Sequence, residues 1–169
     1  MYQEFIKIPK ERIAVLIGTK GKDKRLLEKH TQTKMQVDSK EGTVTLSGED
    51  SFQLFLAKNV IKAVGRGFSP NASLELLGDD KILEVINIQE FSGKSKDKFI
   101  RLKSRIIGSE GKARKTIQLL TNTNIVIYGK TISIIGEAES VIKAKKSIET
   151  LLLGSKHGTV YSKLERSKK

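Results

Sequence analysis

The sequence predicts an α+β fold made of two tandem copies of one small unit, each a three-stranded antiparallel sheet covered by three helices in the order βααββα. Two observations predict it. Gly-x-x-Gly occurs as Gly18-Thr19-Lys20-Gly21 and again 90 residues later as Gly108-Ser109-Glu110-Gly111. The flanks repeat with it: residues 22–37 align without a gap on 112–127, bringing Leu27 onto Ile117, Thr31 onto Thr121 and Thr33 onto Thr123. After a two-residue deletion, 43–49 match 131–137. A repeat of this length is a whole small domain present twice. Within each copy, the apolar spacing also alternates between helix and strand periods.

In the first copy, residues 2–8 are a β-favouring run closed by Pro9, whose fixed φ suits the first turn of a helix over 10–17 that ends at Gly18. A second helix covers 22–30, with Leu26 and Leu27 inward and the lysines outward. Strands at 34–37 and 43–47 flank a Lys-Glu-Gly turn at 40–42. Asp50 or Ser51 then caps a helix from Phe52 to about Ala63. Gly65-Arg66-Gly67-Phe68-Ser69-Pro70 breaks the pattern, so the first domain spans 1–68 and a connector with a short helix spans 69–80.

The second domain spans 81–154 and opens on a near-continuously apolar strand at 81–88. A basic loop at 92–96 leads into a helix over 97–107. Ala113, Ile117 and Leu120 mark the buried stripe of the next helix at i, i+4 and i+7. Strands at 124–128 and 131–135 hinge on Gly129, and a helix over 139–153 stops at Gly154. Residues 155–169 read as a C-terminal tail.

Size and charge narrow the function. Each half is near the size at which one hydrophobic core barely suffices. There is no cysteine, which excludes disulfides and thiolate zinc sites. No apolar run approaches the roughly 18 residues of a membrane span, and the N-terminus lacks the pattern of a signal peptide; a soluble, cytoplasmic protein is expected. The net charge of +13 is uneven: residues 1–80 hold 13 Lys/Arg against 11 Asp/Glu, and 81–169 hold 19 against 8. That imbalance points to a polyanion bound mainly by the second half. A heat-stable surface rich in ion pairs would balance its signs. Aromatic residues are 5% of the chain, too few for base stacking to be the main device.

Candidate catalytic and metal groups are sparse. Asp79-Asp80 reads as a turn before a strand, without a third ligand at useful spacing. His30 aligns with Leu120 at an inward position, and His157 reads as an exposed loop residue. No catalytic residue, metal or cofactor is expected. The glycine loops carry a different chemistry. Glycines at both corners allow a tight bend that brings backbone N–H groups close to a ligand. The helix that follows turns its positive end to the same point. Lys112, Arg114 and Lys115 add charge there, with Arg105 just ahead of the loop and Glu110 at its tip. Lys22 is the counterpart beside the first loop.

This order of elements, with Ile-Ile-Gly-Ser-Glu-Gly-Lys between two helices, resembles the type I KH domain, present here as two tandem domains over most of the chain. In KH modules the Gly-x-x-Gly loop clamps about four nucleotides of single-stranded backbone. The resemblance implies that Gly108, Ser109, Glu110 and Gly111 form one clamp and Gly18, Thr19, Lys20 and Gly21 the other. Ile107, Ile125 and Ile127 would then wall an apolar base-reading groove, with Ile17, Met35 and Val37 as counterparts. The connector 69–77, the run Tyr128-Gly129-Lys130-Thr131 and the end His157-Gly158-Thr159-Val160-Tyr161 narrow the likeness. They resemble the KH-domain small-subunit ribosome assembly factors shared by archaea and eukaryotes, the partner-of-Nob-one family. Eukaryotic members lose the first Gly-x-x-Gly; its presence here suggests an archaeal type. The resemblance implies binding of single-stranded ribosomal RNA near the 3′ end of the small-subunit molecule during its maturation. Partners would include the processing nuclease, a dimethyltransferase or a translation factor. The competing expectation is a protein–protein scaffold with only non-specific RNA binding.

Overall fold

The computed structural model describes residues 1–168, and the chain divides into one unit of Met1–Lys81 and a second from Ile82 onward. In the first unit the order is β1 (Tyr2–Lys7), α1 (Ile13–Ile17), α2 (Lys22–Thr31), β2 (Lys34–Asp38), β3 (Thr43–Gly48), α3 (Ser51–Gly65) and the one-turn α4 (Pro70–Ser73). The second unit has β4 (Lys81–Asn87), α5 (Gln89–Ser92), α6 (Lys96–Ile107), α7 (Lys112–Thr121), β5 (Asn124–Tyr128), β6 (Thr131–Glu137), α8 (Ala138–Leu152) and α9 (His157–Ser167). Each unit carries one three-stranded antiparallel sheet, ordered β1-β3-β2 and β4-β6-β5. The α+β class and the duplicated βααββα core agree with the expectation; α5 and α9 are additions in the second copy.

Local chemistry explains the boundaries. Asp50 caps α3 by accepting the Phe52 N–H at 2.8 Å, and Ser69 caps α4 through Ala72 N–H at 3.1 Å with Pro70 at its first position. Ser95 caps α6 through Lys98 N–H at 3.1 Å. Helices α2 and α7 both end on a left-handed residue, Gln32 (φ 56°) and Asn122 (φ 53°). Behind each cap sits the same threonine pair, fully buried in the first unit and partly buried in the second. Thr31 donates to Leu27 O at 2.7 Å and lies 2.7 Å from the Thr33 hydroxyl. Thr121 donates to Ile117 O at 2.6 Å and lies 2.8 Å from Thr123.

The cores follow the repeat. Leu16, Leu27, Val44 and Leu46 are sealed in the first unit, and Ile106, Ile117, Ile132 and Ile134 occupy the matching positions in the second. Each such side chain contributes about 1.5–3 kcal/mol by leaving water.

Much of the stretch expected as a C-terminal tail is helical. Residues 157–167 form a three-turn helix that buries Val160 and Leu164 in the core of the second unit; Lys169 lies outside the described residues. The cause is visible as an i, i+4 apolar pair, which the glycines at 154 and 158 and the dense basic charge disguise. His157 is the first residue of this helix, half-buried, with Nε2 2.9 Å from Arg105 O and its ring edge-on to Tyr161 at 6.0 Å. His30, expected inward, is exposed. Its stripe on α2 is led by Leu27 and closed by Thr31, so position 30 turns to solvent.

Candidate nucleic-acid interface

The two glycine loops have one conformation. Gly18 (φ 73°, ψ 176°) and Gly108 (φ 75°, ψ 175°) turn the chain out of α1 and α6. Lys20 and Glu110 follow at left-handed angles (φ 53° and 55°), and Gly21 and Gly111 (φ 74° and 75°) lead into α2 and α7. Only glycine tolerates the first of these settings without strain. The glycines differ in a second respect. A Cβ added at Gly108 would meet Ala113 N at 2.6 Å, whereas one added at Gly111 would meet only the Lys115 chain at 3.7 Å. Thus Gly108 is required for packing as well as for bending.

The loop's donors can be assigned one by one. Gly108 N–H is held by Ser104 O at 2.8 Å and Gly111 N–H by Gly108 O at 3.2 Å, while Lys112 N–H goes to Ser109 O. Among the described residues, the Ser109 and Glu110 N–H groups are left without a backbone partner. The amides free for an anionic ligand are therefore those at the tip, between the glycines rather than on them. Glu110 belongs to this pair through its backbone, while its side chain is exposed.

Charge around the loops is not where the halves' imbalance suggests. Residues 18–28 carry four cations and two carboxylates, and 108–118 carry three cations and one carboxylate, so each loop with its helix has a net charge of +2. The excess of the second half lies elsewhere on that unit, and the first loop is electrostatically the equal of the second.

Beside the second loop is an open groove of about 400 Å³ lined by Ile107, Arg114, Ile125, Val126 and Ile127. Arg114 and Gln118 tie α7 to the edge strand β5. Gln118 Oε1 accepts the Ile125 N–H at 2.7 Å and Arg114 at 3.0 Å, and Arg114 also reaches Ile125 O at 3.3 Å. The first unit uses Glu28 in the same strut, accepting the Met35 N–H at 2.9 Å and pairing with Lys24 at 3.4 Å. Ile107 and Ile127, two of the three isoleucines expected to wall a groove, line this one, and Arg114, expected as charge beside the loop, lines it too. Ile125 does not serve as a wall with its side chain, which is 1% exposed and part of the core; only its main chain borders the groove. Met35, at 2%, is inward in the same way, while Ile17 and Val37 are half-buried. Lys22, Lys112 and Lys115 are exposed beside their loops, and Lys115 Nζ hangs 3.5 Å from Glu110 O.

Arg105, expected beside the loop, is engaged by the protein's own backbone. Its guanidinium donates to Leu151 O at 3.0 Å and to Ser155 O, so it fastens the end of α8 to the turn before α9. The sequence places an arginine three residues before the loop, but its guanidinium is spent on the end of α8 and the turn that follows. Nothing short of knowing α9 could have revealed that.

The comparisons with known proteins agree with this fold. The model of the eukaryotic-type KH domain (type I) matches residues 82–169, and the general KH-domain model matches residues 3–63. A KH domain-containing protein of Methanocaldococcus jannaschii is 43% identical over 98% of this chain and 74% of its own length. The pre-rRNA-processing protein PNO1 of Saccharomyces cerevisiae is 29% identical over 94% of this chain, which spans only 60% of the yeast protein. Among solved structures, the a/eIF2alpha-aDim2p-rRNA complex of Pyrococcus horikoshii contains a chain 41% identical, with a TM-score of 0.91 over 99% of this chain and 94% of that one.

Proposed function

The chain belongs to the two-KH-domain family that includes PNO1 and Dim2p, and from that premise we propose that it is a non-catalytic, cytoplasmic RNA-binding factor of small-subunit ribosome assembly. It holds single-stranded ribosomal RNA near the 3′ end of the small-subunit molecule while the precursor matures. One observation carries this reading: a glycine loop whose two tip amides lack a backbone partner follows directly on Ile107, which lines a groove bordered by a strand edge. Backbone phosphates are taken by the Ser109 and Glu110 N–H groups at the positive end of α7, with Lys112 and Lys115 beside them. Bases lie across Ile107 and Ile127, where Arg114 and the β5 main chain read their edges.

The first loop, Gly18 to Gly21, takes RNA as well, because its conformation and net charge match those of the second. The relative bound to a translation-factor subunit and rRNA supports a translation-factor partner; a processing nuclease and a dimethyltransferase are further partners that the family resemblance suggests.

The experiment is a titration of labelled RNA ending in the mature 3′ sequence of small-subunit ribosomal RNA, against a scrambled control and over a range of salt. Gly111→Asp is the preferred loop variant, since position 111 has room for a side chain and position 108 does not. Selective binding should weaken by roughly 0.7 log unit per phosphate contact per decade of salt. It should also fall at least ten-fold in Gly111→Asp and, separately, in Gly21→Asp. Equal affinity for both RNAs, or no loss in either variant, would overturn the assignment in favour of a protein scaffold.

A further inference from the structure

Helices α8 and α9 each present an i, i+3, i+4, i+7 stripe to a cleft between them. Lys143, Lys146, Ser147 and Thr150 come from α8, and Val160, Lys163, Leu164 and Ser167 from α9. The cleft encloses about 120 Å³ and shares no residue with the groove beside the glycine loop. Val160 and Leu164 form its apolar floor. Lys143, Lys146 and Lys163 stand around its mouth, and none of them forms an ion pair among the described residues.

The lining chooses between classes of ligand. Cofactor-sized molecules need pockets of about 300 Å³ or more, so this cleft is too small for one. It is slightly smaller than the ~150 Å³ cavity that admits benzene, which is the scale of a single leucine or isoleucine side chain. The hydroxyls do not offer hydrogen bonds into it: Ser147 donates to Lys143 O at 2.9 Å, Thr150 to Lys146 O at 2.7 Å and Ser167 to Leu164 O at 2.8 Å. A nucleobase inserted here would find no hydroxyl donor on the floor for its ring nitrogens and carbonyls, only the ammonium groups at the mouth, and burying polar edges unpaired is costly. An aliphatic side chain has no such need. The three lysines then call for carboxylates on either side of it.

We propose that the α8–α9 cleft is a docking site for an acidic segment of a partner protein. One aliphatic side chain of the segment enters the floor, and flanking Asp or Glu residues pair with Lys143, Lys146 and Lys163. The site is independent of the RNA groove, so both are filled at once. This inference does not rest on the identity of the RNA.

The test uses the full chain and three probes: a 13-residue Asp/Glu-rich peptide with a central Leu, the same peptide with Gly at the centre, and a U10 RNA. Amide chemical shifts report the location of binding. The Leu peptide should perturb residues around Ser147, Thr150 and Lys163, bind at least five-fold more tightly than the Gly peptide, and bind equally with U10 present. Lys143→Glu/Lys146→Glu/Lys163→Glu should abolish it. Thr150→Trp, which fills the mouth from an exposed position and keeps all three lysines, should abolish it too. Equal binding of the two peptides would overturn the proposal in favour of diffuse attraction. Shifts centred on 108–112 would overturn it in favour of RNA mimicry, and displacement of the peptide by U10 would make the cleft a nucleic-acid surface.

Discussion

The two glycines of the second loop should respond very differently to alanine, although both have φ near 75°. Alanine at Gly111 meets no obstacle and suffers only the left-handed backbone setting, a cost of about 1 kcal/mol. At Gly108 the setting itself is one that only glycine adopts freely, at about 1–3 kcal/mol. In addition, the new Cβ would stand 2.6 Å from the Ala113 nitrogen and 2.7 Å from its Cβ. Both atoms are fixed in the first turn of α7, so the loop must shift as a body, adding about 1–3 kcal/mol of overpacking. The sum is about 4 kcal/mol. For a unit of this size each kcal/mol moves the midpoint by about 4–8 °C. Thermal unfolding of the second unit should therefore fall by more than 15 °C for Gly108→Ala and by less than 8 °C for Gly111→Ala. Differential scanning calorimetry of the full chain measures both. Losses that agree within 3 °C would refute the claim that Gly108 is required for packing, and the loop would be a bend with two equivalent corners.

Other consequences can be checked alongside. Gln118→Ala removes the acceptor of the Ile125 N–H and should cost about 1–3 kcal/mol in urea unfolding; Gln118→Glu, which copies Glu28 of the first unit, should cost much less, and equal losses would refute the strut. Arg105→Met should destabilise the second unit by about 2–3 kcal/mol while changing RNA affinity less than two-fold, so a stable variant with lost RNA binding would return Arg105 to the interface. Burial pushes the Tyr161 phenol above its ordinary range, with a hydrogen bond between it and the Thr116 side chain pulling in the other direction. A folded-state pKa raised above the unfolded one means that this contribution is full below the ordinary phenol pKa of about 10 and is lost as pH rises through the folded value. Alkaline titration followed by ultraviolet absorbance should show one tyrosine ionising late, and Val160→Asp, which undocks α9, should bring it back into line with the others.

Much of this molecule is legible in its sequence because it is written twice. The alignment of 22–37 on 112–127 puts the loops, the helices after them and the edge strands in matching positions, and the structure reproduces that correspondence down to the paired threonines. Misreadings fall where the copies part. Helix α9 has no counterpart in the first unit, and with it went the orientation of Arg105 and the setting of His157. The role of Ile125 was lost for another reason. Strand alternation assigns a face only when the edge strand's neighbour is known, and β5 turns Ile125 inward beneath α7. Charge is less legible, since a count over half a chain says nothing of where on the surface the lysines stand.

The threonine pairs behind α2 and α7 bear on how such a sequence can drift. Removing the Thr31 or Thr121 hydroxyl deprives its threonine partner of that bond, at about 1–3 kcal/mol, whereas replacing both members with valine removes the demand altogether. The single step at Thr31 or Thr121 therefore leads downhill in stability, and the double step returns. Double-mutant cycles on Thr121 and Thr123 should show the two changes together costing less than their sum. A lineage that holds one such pair is kept there by the valley on either side, and this chain holds two.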